Sequence, residues 1–133
     1  MNANAVEERP VVLVVDDHQA VRELVVDTLE TCAYNFQFLT AADGEKALKH
    51  AAETPVDLVI TDLEMSDMNG DELIEKLAEK TPDLRVILMS GNHDKLDKVA
   101  LPCGERVRIV CKPFLPSQLR KMVDELMFPK PAA

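Results

Sequence analysis

Four short apolar segments of this chain are each followed directly by a residue suited to binding metal or phosphate. Their length and their content of branched aliphatic residues predict buried β-strands. In an open parallel α/β sheet, ligands bind just beyond the carboxyl ends of the strands. If the four strands are parallel, three carboxylates, a hydroxyl and an ammonium therefore meet in one pocket. The segments are Val11–Val15 before Asp16 and Asp17, Val56–Thr61 before Asp62, Val86–Met89 before Ser90, and Val107–Cys111 before Lys112.

Segments with helical periodicity lie between the predicted strands. The first repeats its apolar residues at i, i+3, i+4, i+7 and i+8, which predicts a stripe packed against a sheet. Three further helices are predicted to start near Asp43-Gly44, Asn69-Gly70 and Pro116. The segment from Asn92 to Leu101 has poorer periodicity and predicts a short helix followed by an irregular loop. The residues predicted to face inward are Val21, Leu24, Val25, Thr28 and Leu29 in the first helix, Ala47, Leu48, Ala51 and Ala52 in the second, Leu73, Ile74, Leu77 and Ala78 in the third, and Leu119, Met122, Val123 and Leu126 in the last.

The order of these elements predicts the fold class. A further strand is predicted at Phe36–Thr40, so that strands and helices alternate along the chain. Such alternation favours a parallel sheet whose two faces are covered by right-handed crossover helices. We therefore expect one α/β domain over residues 10–127, a polar lead over residues 1–9, and a tail over residues 128–133 that cannot continue the last helix.

The charge of the chain narrows the classes of partner. The 133 residues include 24 acidic and 15 basic side chains, which gives a net charge of −9. This balance disfavours non-specific binding to nucleic acid or to anionic membranes, because both require a positive field. The sequence has neither the apolar run of a signal peptide nor that of a membrane span, and we expect a cytoplasmic protein. Its three cysteines are expected to be reduced thiols.

The predicted cluster of carboxylates needs a compensating charge. Two carboxylates about 4 Å apart repel each other by about 4 kcal/mol at an effective dielectric constant of about 20. A shared proton or a divalent cation would relieve this repulsion. Because the candidate ligand atoms are all oxygens, Mg²⁺ is favoured over a transition metal, and His18, His50 and His93 are not expected to bind it.

A metal ion, a lysine and a hydroxyl around a carboxylate together favour phosphoryl transfer. Fixed cations and hydrogen-bond donors stabilise the charge that spreads over a transferring phosphoryl group. The sequence contains no Walker loop and no glycine-rich dinucleotide loop, so no segment is predicted to hold a nucleotide. The phosphoryl acceptor is therefore expected to be a side chain of the protein, and a carboxylate can serve as that nucleophile.

Five motifs occur in the order and at the spacing of a known family. From about Arg9 to Met127, the chain resembles the receiver domain of two-component response regulators, of the CheY-like kind. The resemblance implies a flavodoxin-like, doubly wound fold, with a five-stranded parallel sheet in the order 2-1-3-4-5 and helices on both faces. The motifs are Val14-Val15-Asp16-Asp17, Asp57–Asp62, Met65–Gly70, Met89-Ser90-Gly91 and Lys112-Pro113-Phe114.

The resemblance also implies the acceptor and the metal ligands. Asp62 would be the phosphoacceptor and would attack a phosphohistidine of a partner kinase to give an acyl phosphate. Asp17, Asp62 and the backbone carbonyl of Glu64 would bind Mg²⁺ directly, and Asp16 would bind it through water.

Two further residues would contact the phosphoryl group. Ser90 would hydrogen-bond one phosphoryl oxygen, and Lys112 would form an ion pair with another. The resemblance implies in addition that the peptide bond between Lys112 and Pro113 is cis.

The chain departs from the family pattern at three places. The aromatic residue that usually lies three positions before the lysine is Ile109, the usual proline after Met65 is Ser66, and the Gly-Ala pair common before the fifth strand is absent from residues 101–105. A buried β-branched side chain at position 109 could not swing as a ring does. We therefore expect a phosphoryl signal to affect mainly residues 91–105. The pattern is most similar to receivers attached to hybrid histidine kinases.

These observations favour a stand-alone receiver that acts as a phosphorylation-controlled switch or a phosphorelay intermediate. It would be phosphorylated by a histidine kinase or a histidine phosphotransfer protein, would act on a downstream target protein, and would catalyse at most its own phosphorylation and dephosphorylation. A receiver module of a hybrid histidine kinase is the close alternative. A magnesium-dependent phosphatase of the haloacid dehalogenase kind is a third, although Asp62-Leu63-Glu64 matches its motif only loosely. An adaptor that has lost phosphorylation is disfavoured by the intact acidic pocket.

Overall fold

The chain forms one parallel five-stranded sheet. The computed structural model describes residues 9–32, 34–91 and 106–128. Each predicted strand is present, and its ends differ from the predicted ends by no more than two residues. The strands are β1 (Val11–Val15), β2 (Gln37–Ala41), β3 (Leu58–Asp62), β4 (Arg85–Ser90) and β5 (Val107–Cys111).

The strand order is β2-β1-β3-β4-β5, and every neighbouring pair is parallel. This confirms the predicted order. The three central strands are almost fully buried, because each is covered on both faces. The order in which strands are added to the sheet reverses between β1 and β3, and ligand-binding crevices form at such a point in sheets of this kind.

Four helices of the described residues cover the two faces. Helices α1 and α4 pack on one face around Val12 and Val14, and helices α2 and α3 pack on the other around Leu13 and Val15. The alternation of side chains along β1 thus supplies both cores. The helices are α1 (Gln19–Glu30), α2 (Gly44–Glu53), α3 (Gly70–Lys80) and α4 (Pro116–Met127).

Local sequence signals explain two of the helix starts. The Asp43 side chain accepts a hydrogen bond from the Lys46 N–H at 2.8 Å and caps α2, as the sequence predicts. Helix α4 begins with Pro116, whose ring fixes φ at a helical value. The helix predicted between Asn92 and Leu101 lies outside the described residues.

The apolar stripe of α1 is narrower than predicted. Val25, Thr28 and Leu29 are buried, but Leu24 is 42% exposed, so its prediction as an inward residue is wrong. Leu24 lies on the helix surface next to the buried stripe of Val25, Thr28 and Leu29, and it borders a surface groove instead of the sheet. Ala52, predicted to face inward in α2, is also exposed.

Helix α4 ends at Met127, and the following Phe128 stacks on Tyr34 with ring centroids 3.8 Å apart. The Tyr34 hydroxyl also donates a hydrogen bond to Asp124 at 2.7 Å. These contacts join the C-terminal ends of α1 and α4 at the edge of the sheet remote from the predicted pocket. Within the part of the chain that the structure describes, no helix combines the length and the apolar character needed to cross a membrane.

Candidate metal and phosphoryl site

The register of the sheet brings four predicted site residues to one edge. Val15 pairs with Thr61, so Asp16 and Asp62 follow on adjacent strands, and Ser90 pairs with Cys111, directly before Lys112. Parallel strands end at the same edge of a sheet. The convergence predicted from the sequence is therefore confirmed, whereas the roles of the individual residues stay predictions.

Lys112 joins two carboxylates at this edge. Its Nζ lies 2.8 Å from Asp16 Oδ2 and 3.5 Å from Asp62 Oδ1, and Asp16 is fully buried. Its backbone N–H donates to the Ser90 carbonyl at 2.8 Å, which fixes the base of the side chain. Burial alone would lower the pKa of Lys112, but the hydrogen bond to Asp16 and the charges of Asp16 and Asp62 raise it above its usual value.

Asp62 lies at the end of β3 and is nearly buried. Desolvation raises the pKa of its carboxyl group, and the negative charge of Asp16 raises it further. The charge of Lys112 and a hydrogen bond from the backbone N–H of Glu64 act in the opposite direction, but the pKa remains above its usual value. An additional cation in the pocket would therefore favour the ionised form, which is the nucleophilic form.

Asp17 and His18 form the solvent-facing side of the site. His18 Nδ1 lies 3.2 Å from Asp16 Oδ1 and 3.0 Å from Asp17 Oδ1. The His18 side chain is 72% exposed, and its contact with both carboxylates was not predicted. Its place directly after Asp17 was the signal for this contact. Ligand atoms of Asp16, Asp17 and His18 lie within 4.8 Å of one another.

Two hydrogen bonds that were not predicted from the sequence fix the backbone of Asp16 and the hydroxyl of Ser90. The Arg22 guanidinium of α1 donates to the backbone carbonyl of Asp16 at 2.6 Å and so ties the first helix to the end of β1. The Ser90 hydroxyl donates to the Glu64 side chain at 3.4 Å. The prediction for Glu64 concerned its backbone carbonyl, whereas the structure also places its side chain at Ser90.

Two predictions at β5 have different outcomes. The Lys112–Pro113 peptide bond is cis, as predicted. The prediction that Ile109 is buried is wrong, because its side chain is 42% exposed. Ile109 lies on β5, an edge strand, and on the opposite face from Val110, which packs in the α1–α4 core. Residues 92–105, most of the segment predicted to respond to phosphorylation, lie outside the described residues.

The donor atoms of the site fit a hard divalent cation. Asp16, Asp17 and Asp62 provide carboxylate oxygens at one sheet edge, and burial and like charge raise the pKa of Asp62. Mg²⁺ binds hard oxygen ligands, usually with one or two carboxylates among them. The residues present therefore fit magnesium, and the imidazole of His18 adds one nitrogen at the solvent side.

The fold and the acidic site together define a signalling module of the two-component class. Residues 12–124 match the response regulator receiver domain family. The chain therefore belongs to the response regulator receiver domains. Such domains are generally signalling modules and not enzymes.

Individual matches include a sensor histidine kinase, a chemotaxis protein and the receiver domain of a hybrid histidine kinase. The chain is 35% identical over 122 residues to the sensor histidine kinase TmoS of Ectopseudomonas mendocina. This alignment covers 90% of this chain and 12% of that kinase. The structure of the chemotaxis protein CheY4 of Vibrio cholerae matches with a TM-score of 0.78 and 26% identity, over 90% of this chain and 100% of that one. The receiver domain of the hybrid histidine kinase CckA matches with a TM-score of 0.72 and 28% identity, over 88% of this chain and 98% of that one.

The chain spans 12% of the length of TmoS and between 8% and 48% of the lengths of seven further curated relatives. The shared part is thus the receiver module and not the complete kinase or regulator.

Proposed function

We propose that this receiver accepts a phosphoryl group on Asp62 from the phosphohistidine of a histidine kinase or a histidine phosphotransfer protein. It would then act as a single-domain switch or as a phosphorelay intermediate, or as the receiver module of a hybrid kinase. The observation that carries this proposal is the position of Lys112 between the buried Asp16 and Asp62 at the ends of adjacent strands. The cytoplasmic location inferred from the sequence stays a prediction.

In the proposed phosphoryl transfer, Asp62, Lys112 and Ser90 have different roles. An ionised oxygen of Asp62 attacks phosphorus, the new P–O bond forms, and the P–N bond to the donor imidazole breaks with its electron pair on nitrogen. Lys112 and Ser90 would stabilise the negative charge on the phosphoryl oxygens. Because Lys112 contacts Asp16 at 2.8 Å and Asp62 at 3.5 Å, its ammonium has to shift only slightly to meet a group on Asp62.

Asp16, Asp17, Asp62 and the backbone carbonyl of Glu64 would hold Mg²⁺. When bound, this ion neutralises carboxylate charge and stabilises charge on the transferring phosphoryl group. The bound ion would also favour the ionised form of Asp62 and so oppose the desolvation that raises its pKa.

Acetyl phosphate provides the direct test of the proposed function. In the presence of Mg²⁺, the native chain is expected to gain the mass of one phosphoryl group and to release acetate in a single, stoichiometric turnover followed only by slow hydrolysis. Rapid, sustained hydrolysis of small phosphate esters would instead indicate the phosphatase alternative. A chain that acquires no phosphoryl group would contradict the proposed function.

Magnesium is expected to stabilise the fold. A ligand that binds only the native state stabilises it by about 1.4 kcal/mol when its free concentration is ten times its dissociation constant. Thermal melts across a millimolar titration of MgCl₂ measure the effect, which Asp17→Asn should reduce strongly. Asp27→Asn on the exposed side of α1 is the matched control and should respond as the native chain does. A melting temperature that does not change with Mg²⁺ would rule out the metal site.

An apolar groove beside the acceptor provides a surface for the donor protein. It has a volume of about 350 Å³ and lies between α1 and the segment after β5. Leu24 is 42% exposed and Leu115, next to the groove, is 64% exposed. Because Lys112 lines both the groove and the acceptor pocket, a protein seated there would bring its phosphohistidine close to Asp62. The groove residues are Val21, Leu24, Lys112, Pro113 and Phe114.

Replacement of Leu24 by Asn is expected to separate docking from chemistry. Transfer from a phosphorylated histidine phosphotransfer protein should slow about tenfold, which corresponds to about 1.4 kcal/mol, because apolar contact with the donor is lost. Labelling by acetyl phosphate, which needs no docking surface, should stay within twofold. Ile109→Asn is the matched control, since Ile109 is also 42% exposed but lies on β5 outside the groove. Equal effects of the two substitutions on transfer would exclude the groove as the docking surface.

A further inference from the structure

Asp67 connects the loop after the acceptor to the start of α2. Its Oδ1 accepts a hydrogen bond from the Gly44 N–H at 3.1 Å, and its Oδ2 accepts one from the Glu45 N–H at 3.0 Å. The first N–H groups of a helix have no partner within the helix, and a carboxylate satisfies them well. One side chain of the β3–α3 loop, residues 63–69, thus binds two backbone groups of a different element.

A second contact fixes the same loop against the same helix. A Cβ atom built on Gly44 would overlap the Met68 Cγ atom and would lie 2.7 Å from its Sδ atom. The absence of a side chain at Gly44 therefore allows Met68 to pack directly on the helix backbone. Hydrogen bonding at Asp67 and packing at Met68 hold adjacent loop residues against the first turn of α2.

The loop is also fixed at both of its ends. The Leu63 N–H donates to the Met89 carbonyl of β4 at 2.8 Å, and the Gly70 N–H donates to the Leu63 carbonyl at 2.7 Å. Between these ends lies Glu64, whose N–H donates to the Asp62 carboxylate and whose side chain meets Ser90. The conformation of the loop therefore sets the orientation of the peptide groups next to the acceptor.

We propose that Asp67 is a positioning residue for the metal site, and that it couples this site to the first turn of α2. It holds the loop in the conformation that directs Glu64 towards Asp62, so that metal binding at one side of the loop stiffens the Asp67 contact at the other. The inference rests on the proposed function, because it assumes that Mg²⁺ binds at Asp62. Desolvation would raise the pKa of Asp67, but the hydrogen bonds from backbone N–H groups, those of Gly44 and Glu45 first among them, outweigh it and hold this pKa below its usual value.

Asp43 supplies a matched control for this role. It caps the same helix through the Lys46 N–H at 2.8 Å, but it belongs to the β2–α2 connection and not to the acceptor loop. Asp43→Ala therefore removes a cap from α2 and leaves the two hydrogen bonds between the Asp67 side chain and α2, whereas Asp67→Ala removes those two hydrogen bonds. Asp67→Asn keeps one acceptor oxygen and should be intermediate.

Calorimetric titration with MgCl₂ and amide hydrogen exchange test the proposal on the full chain. Asp67→Ala is expected to weaken Mg²⁺ binding about tenfold, while Asp43→Ala stays within twofold of native although its melting temperature falls. Saturating Mg²⁺ should slow exchange at the Gly44 and Glu45 amides in the native and Asp43→Ala chains, and this slowing should be lost in Asp67→Ala.

The outcomes distinguish this inference from the proposed function. Native-like Mg²⁺ affinity in Asp67→Ala, or an equal loss in Asp43→Ala and Asp67→Ala, would overturn the positioning role and leave the metal site intact. A native chain that binds no Mg²⁺ would overturn the metal site of the proposed function and this inference together.

Discussion

An Asp62→Asn chain is expected to carry no phosphoryl group after incubation with acetyl phosphate and Mg²⁺, whereas the native chain gains one. The amide has no ionised oxygen to attack phosphorus, and the neighbouring Asp16 is fully buried in its ion pair with Lys112. Intact-protein mass spectrometry measures the difference. Stoichiometric labelling of Asp62→Asn would show that the acceptor is a different residue.

The same substitution should leave the metal-free fold as stable as native or more stable. The raised pKa of Asp62 means that the folded state binds its proton more tightly than the unfolded state does. Ionisation of Asp62 therefore costs stability, and this cost begins as the pH rises through the unfolded pKa and is complete above the folded pKa. Asp57→Asn is the control at the opposite end of β3, where Asp57 accepts a hydrogen bond from Val11; it should keep native labelling.

Most strands and helices of the fold could be predicted from the apolar pattern within each segment of the sequence. Strands such as Val11–Val15 are recognisable because central strands of a parallel sheet are buried on both faces and read as continuous apolar runs. The exposure of Leu24 could not be predicted from such a pattern. Apolar spacing on a helix shows which residues share a face, but it does not show how much of that face the sheet covers. The burial of Ile109 was misjudged although the predicted strand order already places β5 at an edge of the sheet, because the apolar pattern of a strand does not show whether each of its faces is covered.

The candidate site was predictable where its residues follow strands directly. Asp16, Asp62, Ser90 and Lys112 converge because parallel strands end at a common edge, which the order of elements already implies. Contacts made by loops have no such regularity. The bond from Asp67 to α2 spans 22 residues of sequence and depends on the path of the loop, which no local pattern encodes.

Replacement of Gly70 by Ala is expected to give the largest loss of stability among the small substitutions near the site. A Cβ atom at Gly70 would overlap the backbone oxygen of Asp62 and would lie 3.1 Å from the Leu63 Cα atom. Because both neighbours belong to the backbone, neither can move as a flexible side chain does, and overpacking of this kind costs about 1–3 kcal/mol. The start of α3 and the end of β3 would be forced apart, so labelling of Asp62 by acetyl phosphate should slow as well.

Gly91→Ala provides the matched control for this prediction. Among the described residues, excluding Gly91 itself and its two chain neighbours, no atom lies within 4 Å of a Cβ built at Gly91. Both substitutions restrict the unfolded chain to the same extent. We expect thermal unfolding to show a melting temperature about 5–10 °C lower for Gly70→Ala and an unchanged or slightly higher one for Gly91→Ala. Equal melting temperatures would mean that α3 can move away from β3 at little cost. The acceptor would then not be held by close contact between Asp62 and the first residue of that helix.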